Sequence, residues 1–246
     1  MRNFRIVLQY EGTKYQGWQK QESTDNTIQG KLENILTKMA GYPVEVHGAG
    51  RTDAGVHAMG QVAHFKLDTD KTEGQILLYL NQYLPEDIAV VSIKEAGERF
   101  HARLNAIGKF YRYRIVNSEI PHVFERRYVH VVEKSLDIER MKQAAQIFVG
   151  THDFKAFTST KRGKKSTVRT IESIEIAKYG DEIVLNYKGD GFLYHMVRIL
   201  SGTLIEVGLK ERSVESVQEA LDSLDRKNAG ILAPAKGLTL MEVLYH

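Results

Sequence analysis

The 246-residue chain contains no cysteine. That absence excludes disulfides, thiolate zinc sites and a cysteine nucleophile, so any catalysis must draw on other groups. A long hydrophobic run is missing as well. Nothing approaches the roughly 20 apolar residues of a membrane span, and Ile6-Val7-Leu8 is too short for the core of a signal peptide. Nor is one sign of charge in large excess. The net charge is only +3, so affinity for a polyanion must come from where the cations lie rather than from their sum. A cytoplasmic enzyme that uses neither membrane nor metal is the expectation.

What is present is a succession of amphipathic segments. Phe4 to Tyr10 has the β-branched and aromatic character of a strand. Asn26 and Gln29 have capping-box spacing, and Ile28, Leu32, Ile35, Leu36 and Met39 then recur at helical intervals up to Gly41. Val44 to His47 and Gln61 to Leu67 read as strands. Thr72 and Gln75 repeat the cap signal ahead of a helix that Pro85 closes, and Ile88 to Ile93 is a strand. The first half is therefore strand, helix, strand, strand, helix, strand, an order that is ferredoxin-like or RRM-like.

Similar elements fill the second half. Phe110 to Val116 is a strand, and Asp137 to Phe148 an amphipathic helix with Gly150 placed as its C′ residue. Ile171 to Ala177 and Glu182 to Tyr187 form a hairpin across Tyr179-Gly180-Asp181. Phe192 to Val207 is an apolar helix ending at Gly208, and Val214 to Leu224 a shorter one. The expected architecture is α+β: two ferredoxin-like or RRM-like halves, 1–104 and 105–246, sharing an extended, mainly antiparallel sheet with helices on one face.

The cations are unevenly distributed. From Arg99 to Ser118 there are Arg99, His101, Arg103, Lys109, Arg112 and Arg114 and no acid; from Phe154 to Ile171 there are Lys155, Lys161, Arg162, Lys164, Lys165 and Arg169, again without an acid. Such runs neutralise phosphates and release counterions, although a single run is also what a solvated face looks like. The stretch 158–167 lacks hydrophobic residues and is expected to stay flexible until RNA orders it. In the first run Tyr111 and Tyr113 lie on one face of their strand. They serve either as sheet packing or, with Phe110, as surfaces on which an unstacked base can rest.

The stretch with most chemical character is Gly48-Ala49-Gly50-Arg51-Thr52-Asp53-Ala54-Gly55-Val56-His57-Ala58. Its glycines let the chain turn tightly between two strands and present Arg51 and Asp53. An aspartate beside a guanidinium is ionised at neutral pH, which suits a nucleophile or a base. A dinucleotide fingerprint does not fit, because Asp53 stands where the third glycine belongs and a strand follows. An aspartic-protease dyad would need a second matching loop, and none is found. For an isolated Asp-Ala-Gly, an Asx-turn in which the carboxylate merely bonds its own backbone is the better reading of these residues alone. His57 and His64 invite a metal reading, but no third ligand stands at suitable spacing, and turn or strand packing accounts for both. Trp18, the single tryptophan, is read as an anchor for the loop after the first strand.

That stretch closely resembles the active-site segment of the TruA family of tRNA pseudouridine synthases. Phe100-His101-Ala102-Arg103, Tyr111-Arg112-Tyr113 and Gly191-Phe192-Leu193-Tyr194-His195-Met196-Val197-Arg198 are also similar to that family, in the same order. The likeness runs from Tyr10-Glu11-Gly12-Thr13 to Gly237-Leu238. It implies a cofactor-independent isomerase that flips uridines at positions 38, 39 and 40 of the tRNA anticodon stem-loop out of the helix, cleaves C1′–N1, rotates the base and rejoins it through C5.

By the same resemblance Asp53 is the catalytic aspartate, Arg198 the basic residue paired with it, Tyr111 the stacking tyrosine, and Arg51 the arginine of base flipping and backbone contact. Phe100, His101, Ala102, Arg103 and Leu104 form a tRNA-contacting segment, with Lys161, Arg162, Gly163, Lys164 and Lys165 as a further basic RNA-binding loop. Family members are homodimers in which one tRNA contacts both subunits. Asp53 has three routes open to it: attack at C1′, addition to C6, or removal of a sugar proton.

Overall fold

The computed structural model describes residues 1–160 and 166–246. The chain forms two compact units, one of Met1–Ile107 with Thr239–His246, the other of Gly108–Leu238. The division thus falls a few residues beyond Leu104 and Asn105, and the last eight residues belong with the first unit. A parallel pairing of Thr239 and Leu240 with His57 and Ala58, distant in sequence, puts them there, and no local pattern announces such a pairing.

In the first unit, β1 (Arg2–Tyr10) lies between two antiparallel neighbours, β4 (Ile88–Ala96) and β3 (His57–Leu67). The far edge of β3 takes β2 (Val46–Gly48) antiparallel and, further along, β10 (Leu238–Leu244) in parallel through Thr239 and Leu240. The order β4-β1-β3-β2 with two crossing helices is the ferredoxin-like arrangement expected. Phe4, Ile6, Leu8 and Tyr10 alternate into the core and meet Ala63, Phe65 and Leu67 of β3. Asn3, Arg5 and His64 point to the other face, which the segment after β4 covers.

Helix α1 (Ile28–Ala40) buries Ile28, Leu32, Ile35 and Leu36 and ends at Gly41 in the left-handed region. Its cap corrects the sequence reading. The N-cap is Thr27, whose hydroxyl accepts from Gly30 N at 3.2 Å. Asn26 instead donates to the Lys14 carbonyl, and the Gln29 amide is spent on Gln19, Glu33 and the Val46 carbonyl. A reciprocal box does form on α2 (Glu73–Tyr83), between Thr72 and Gln75 as the spacing predicts. Such caps are each worth about 1 kcal/mol.

The second unit orders its strands β5 (Gly108–Val116), β9 (Glu182–Gly189), β8 (Val168–Tyr179) and β7 (Gly150–Asp153), all antiparallel. Short β6 (His130–Val131) runs parallel to β5. The expected β8–β9 hairpin is present and longer at its open end. The apolar face of the sheet, Tyr113 of β5 with Ile174, Ile176, Leu185 and Tyr187 of the hairpin, lies on the side of α3 (Ile138–Ile147) and α4 (Met196–Gly208), and the Tyr187 hydroxyl is 2.8 Å from Ser201 Oγ of α4. α5 (Glu215–Ser223) packs alongside.

The helix expected from Phe192 starts only at Met196. His195 adopts φ 64°, left-handed, and Met196 N closes a turn onto Leu193 O at 3.0 Å, so residues 192–195 cannot join the α-helical ladder. Among the described residues no helix is long and apolar enough to cross a membrane.

Candidate active site

Residues 49–56 link β2 to β3, and the loop after β1 supports them from beneath. Trp18 is 2% exposed and fills the space under the turn. Gly48 lies flat on its indole, where a Cβ would come within 2.5 Å of Cε2. Gly17, at φ +90°, brings its backbone so close that a Cβ would sit 2.7 Å from Thr52 O. Backbone bonds then stitch the two segments together: Trp18 N to Thr52 O at 3.0 Å and Gly55 N to Tyr15 O at 3.3 Å. The Asp53 carbonyl accepts from Val56 N at 3.1 Å, closing the turn.

On this support Thr52 is buried, Asp53 half-buried and Arg51 exposed. Arg51 Nε donates to Gln19 Oε1 at 2.9 Å, which lays the guanidinium along the loop that carries Trp18. The arrangement presents a carboxylate and a cation on a backbone fixed from below, as pre-positioned catalysis requires.

Both histidines of the metal reading have structural partners. His57 Nδ1 accepts from Gly12 N at 3.0 Å and lies 3.6 Å from Glu11 Oε1. His64 Nδ1 accepts from Ala102 N at 3.1 Å. Among the described residues no group of three or more His, Asp or Glu side chains is placed to hold a metal ion.

The segment Phe100 to Leu104 is pinned at its centre. Ala102 is buried, with its N–H on His64 and its carbonyl accepting from the Tyr245 hydroxyl at 2.6 Å. Asn3 Nδ2 donates to Phe100 O at 3.0 Å, and the Arg5 guanidinium lies over the rings of Phe100 (5.7 Å) and Tyr245 (4.4 Å). His101 Nδ1 faces the N–H groups of Arg103 (3.2 Å) and Leu104 (3.3 Å). Fixing Ala102 inward turns Arg103 and Leu104 outward, where both are exposed.

Burial, and then the neighbouring His101 and His47, push His64 down to about 4. Lys66 acts in the same direction. The unfolded chain takes up this proton near the ordinary value of 6.5 and the folded chain only near 4. Stability from this group is therefore complete above about 6.5 and falls as pH drops toward 4. Thermal melts at pH 7.5 and pH 5 should show a lower Tm at pH 5. The fall should be shallower in His64→Gln, whose amide oxygen can still accept the Ala102 N–H; an equal fall in both proteins would remove His64 as the cause.

In the second unit Tyr111 is buried, with its ring edge-on to Phe192 at 5.3 Å. Tyr113, two residues on, is fully buried and donates to Pro234 O at 2.9 Å; burial and nearby Tyr187 push its hydroxyl pKa up. Both tyrosines are thus buried in the core, Tyr113 completely and Tyr111 with 7% of its surface exposed. Arg198 lies in the first turn of α4, its Nε donating to Ala233 O at 2.8 Å while Ala233 N bonds Arg198 O at 3.2 Å. Thr158 and Ser159 dock on Tyr194 O, and Ser159 Oγ lies 2.9 Å from His195 Nδ1. The residues that follow, Lys161, Arg162, Gly163, Lys164 and Lys165, lie outside the described residues.

A family model described as tRNA pseudouridine synthase matches residues 6–105 and 144–246. The chain belongs to that family. A tRNA pseudouridine synthase A of Bacillus sp. (strain KSM-64) is 49% identical over 240 residues, covering 98% of each chain. A tRNA pseudouridine synthase A 2 of Clostridium perfringens (strain 13 / Type A) is 45% identical over 245 residues and covers 100% of each. One from Bacillus cereus (strain ZK / E33L) is 43% identical over 243 residues, covering 99% of each. A crystal structure of a Cbf5-Nop10-Gar1 complex superposes at a TM-score of 0.38 with 13% identity, over 96% of this chain and 48% of that one.

Membership makes the protein an isomerase acting on tRNA, in agreement with the motif resemblance. Sequence reasoning missed the residues that hold the family's motifs in place. Asn3, Tyr245 and His64 fix the Phe100 to Leu104 segment, while Tyr10 and Gln61 lie under the Asp53 turn. One signal was available: Gln61 is polar in the inward register of Ala63, Phe65 and Leu67.

Proposed function

We propose that this chain converts uridines at positions 38, 39 and 40 of the tRNA anticodon stem-loop to pseudouridine, with Asp53 as the catalytic carboxylate. The C1′–N1 bond breaks, the uracil turns, a C1′–C5 bond forms, C5 gives up its proton and N1 gains one. Redox state is unchanged, so no electron carrier is called for. Tyr111 stacks on the target base, Arg51 assists its extrusion, and Arg198 is the cation paired with the aspartate. The segment Phe100, His101, Ala102, Arg103 and Leu104 contacts tRNA, with Lys161, Arg162, Gly163, Lys164 and Lys165 as a second basic contact. The cytoplasm, where tRNA is modified, is the place of action.

The observation that carries this reading is the turn itself: a carboxylate and a guanidinium two residues apart, presented on a backbone held from beneath by the Gly17 and Trp18 segment. The test is conversion of unmodified tRNA mapped by nucleotide, with a chelator present. Pseudouridine confined to positions 38–40 is expected; conversion elsewhere, or conversion abolished by the chelator, overturns the assignment.

The functional form is a homodimer. Supporting this is the loop between β5 and β6, where Phe124 is 93%, Ile120 75% and Val123 60% exposed. The loop is braced by His122 on Asp181 (2.7 Å), Glu125 on Arg114 (2.8 Å) and Arg126 on Val123 O (2.8 Å). A braced loop that keeps three apolar side chains in solvent offers surface for a second copy. Phe124→Asp should shift the protein toward monomer in sedimentation; an unchanged dimer would take this loop out of the interface.

A further inference from the structure

Three buried polar side chains have no part in the reading above: Tyr10 and Gln61 beneath the Arg51 and Asp53 turn, and Thr52 within it. Gln61 is completely buried (0% exposed) at an inward position of β3. Its Oε1 accepts from Val62 N at 3.2 Å, which orients the amide. Nε2 then donates twice, to Gly50 O at 3.0 Å and to the Tyr10 hydroxyl oxygen at 3.3 Å. Burial pushes the Tyr10 phenol up to about 12, so it keeps its proton. While its oxygen accepts from Gln61, the Tyr10 hydroxyl also shares a hydrogen bond with Thr52 Oγ1, 2.8 Å away, which either hydroxyl can donate.

Two anchor points result, and their placement is informative. Gly50 immediately precedes Arg51, and Thr52 stands between Arg51 and Asp53. The core strands β1 and β3 thus hold the turn on either side of the guanidinium and directly before the carboxylate. Apolar residues would fill these core positions at no desolvation cost, whereas each buried hydroxyl or amide needs a partner. Here those partners are the turn's own atoms. Ala49 N on Val62 O at 2.7 Å fixes the entry to the turn, and Trp18 N on Thr52 O at 3.0 Å fixes the Thr52 carbonyl.

We propose that Tyr10, Gln61 and Thr52 form a positioning network that sets the Asp53 carboxylate for the isomerisation, so that breaking it slows conversion without weakening tRNA binding. The inference rests on Asp53 being the catalytic group. A misplacement of about 1 Å costs on the order of 100-fold in rate. Tyr10→Phe, which removes one oxygen from the core, and Thr52→Val, which removes the other, should each lower kcat about 10- to 100-fold. The tRNA Kd should stay within about twofold, since none of the three side chains reaches the surface where phosphates are met.

Thr52→Ser keeps the hydroxyl and should restore most of the rate. The double variant Tyr10→Phe/Thr52→Val should be hardly slower than either single one, because both break the same bond. Single-turnover conversion, tRNA binding and thermal melts on these four proteins, beside Asp53→Asn, form the test. Wild-type kcat in Tyr10→Phe with an inactive Asp53→Asn overturns the positioning role alone. Parallel loss of kcat, tRNA affinity and folded fraction in Tyr10→Phe overturns it too, by showing a purely structural part. Full activity in Asp53→Asn removes the catalytic reading and this inference with it.

Discussion

Asp53→Asn should abolish pseudouridine formation while leaving tRNA binding intact. The substitution replaces one carboxylate oxygen by an amide at nearly constant shape, and Asp53 is only half-buried, so the turn can keep its backbone. What disappears is the negative charge and with it the capacity to attack C1′ or C6 or to accept a sugar proton. Loss of a group that every route requires costs at least about 1,000-fold in kcat. Binding should hold or tighten slightly, because an anion has been removed from a surface that meets phosphates. Single-turnover conversion and filter binding on the same tRNA separate the two. An asparagine variant that converts uridine at the wild-type rate would show that chemistry runs through another residue.

Trp18→Ala should be the most destabilising single change in the first unit. The indole is buried under the turn, 6.3 Å between ring centroids from Tyr10, with Gly48 in van der Waals contact above it. Emptying such a site costs about 3–5 kcal/mol, through lost transfer free energy and the cavity left behind. The glycine that made room for the ring cannot refill the space, so collapse would drag the turn downward. Conversion should therefore fall together with stability, unlike the behaviour of Tyr10→Phe. Urea denaturation monitored by circular dichroism measures the first effect. A loss below about 1 kcal/mol would mean that the turn is carried by its backbone bonds alone.

How much of this was legible depended on the range of the interactions. The Thr72 and Gln75 box, the β8–β9 hairpin and the strand alternation of Phe4 to Tyr10 are local and were read directly. Asn26 failed as a cap because a distant demand won: its amide bonds Lys14 O, leaving Thr27 to cap α1. The helix from Phe192 was read four residues too long, since apolar composition does not register the left-handed His195. Asp53 and Arg51 stood out because their turn is rich in glycine. Their supports did not, because Tyr10 meets Thr52 and Gln61 across separations of 42 and 51 residues. Likewise, nothing in Leu238 to Leu244 says that it will lie beside His57 and Ala58. The family motifs thus mark the candidate site, while the residues holding it are set by pairing between distant strands.

The lone tryptophan has an optical consequence. With no other indole in the chain, near-ultraviolet fluorescence excited at its absorption edge comes from one point, directly beneath the Asp53 turn. The second unit is dark at that wavelength. Its unfolding is silent in indole emission unless it disturbs the first unit, whereas a shift of the turn by tRNA, acid or substitution alters the environment of the emitter itself. The protein therefore carries a built-in, label-free reporter of its own candidate active site, one that can be followed on the millisecond scale of a stopped-flow mixer.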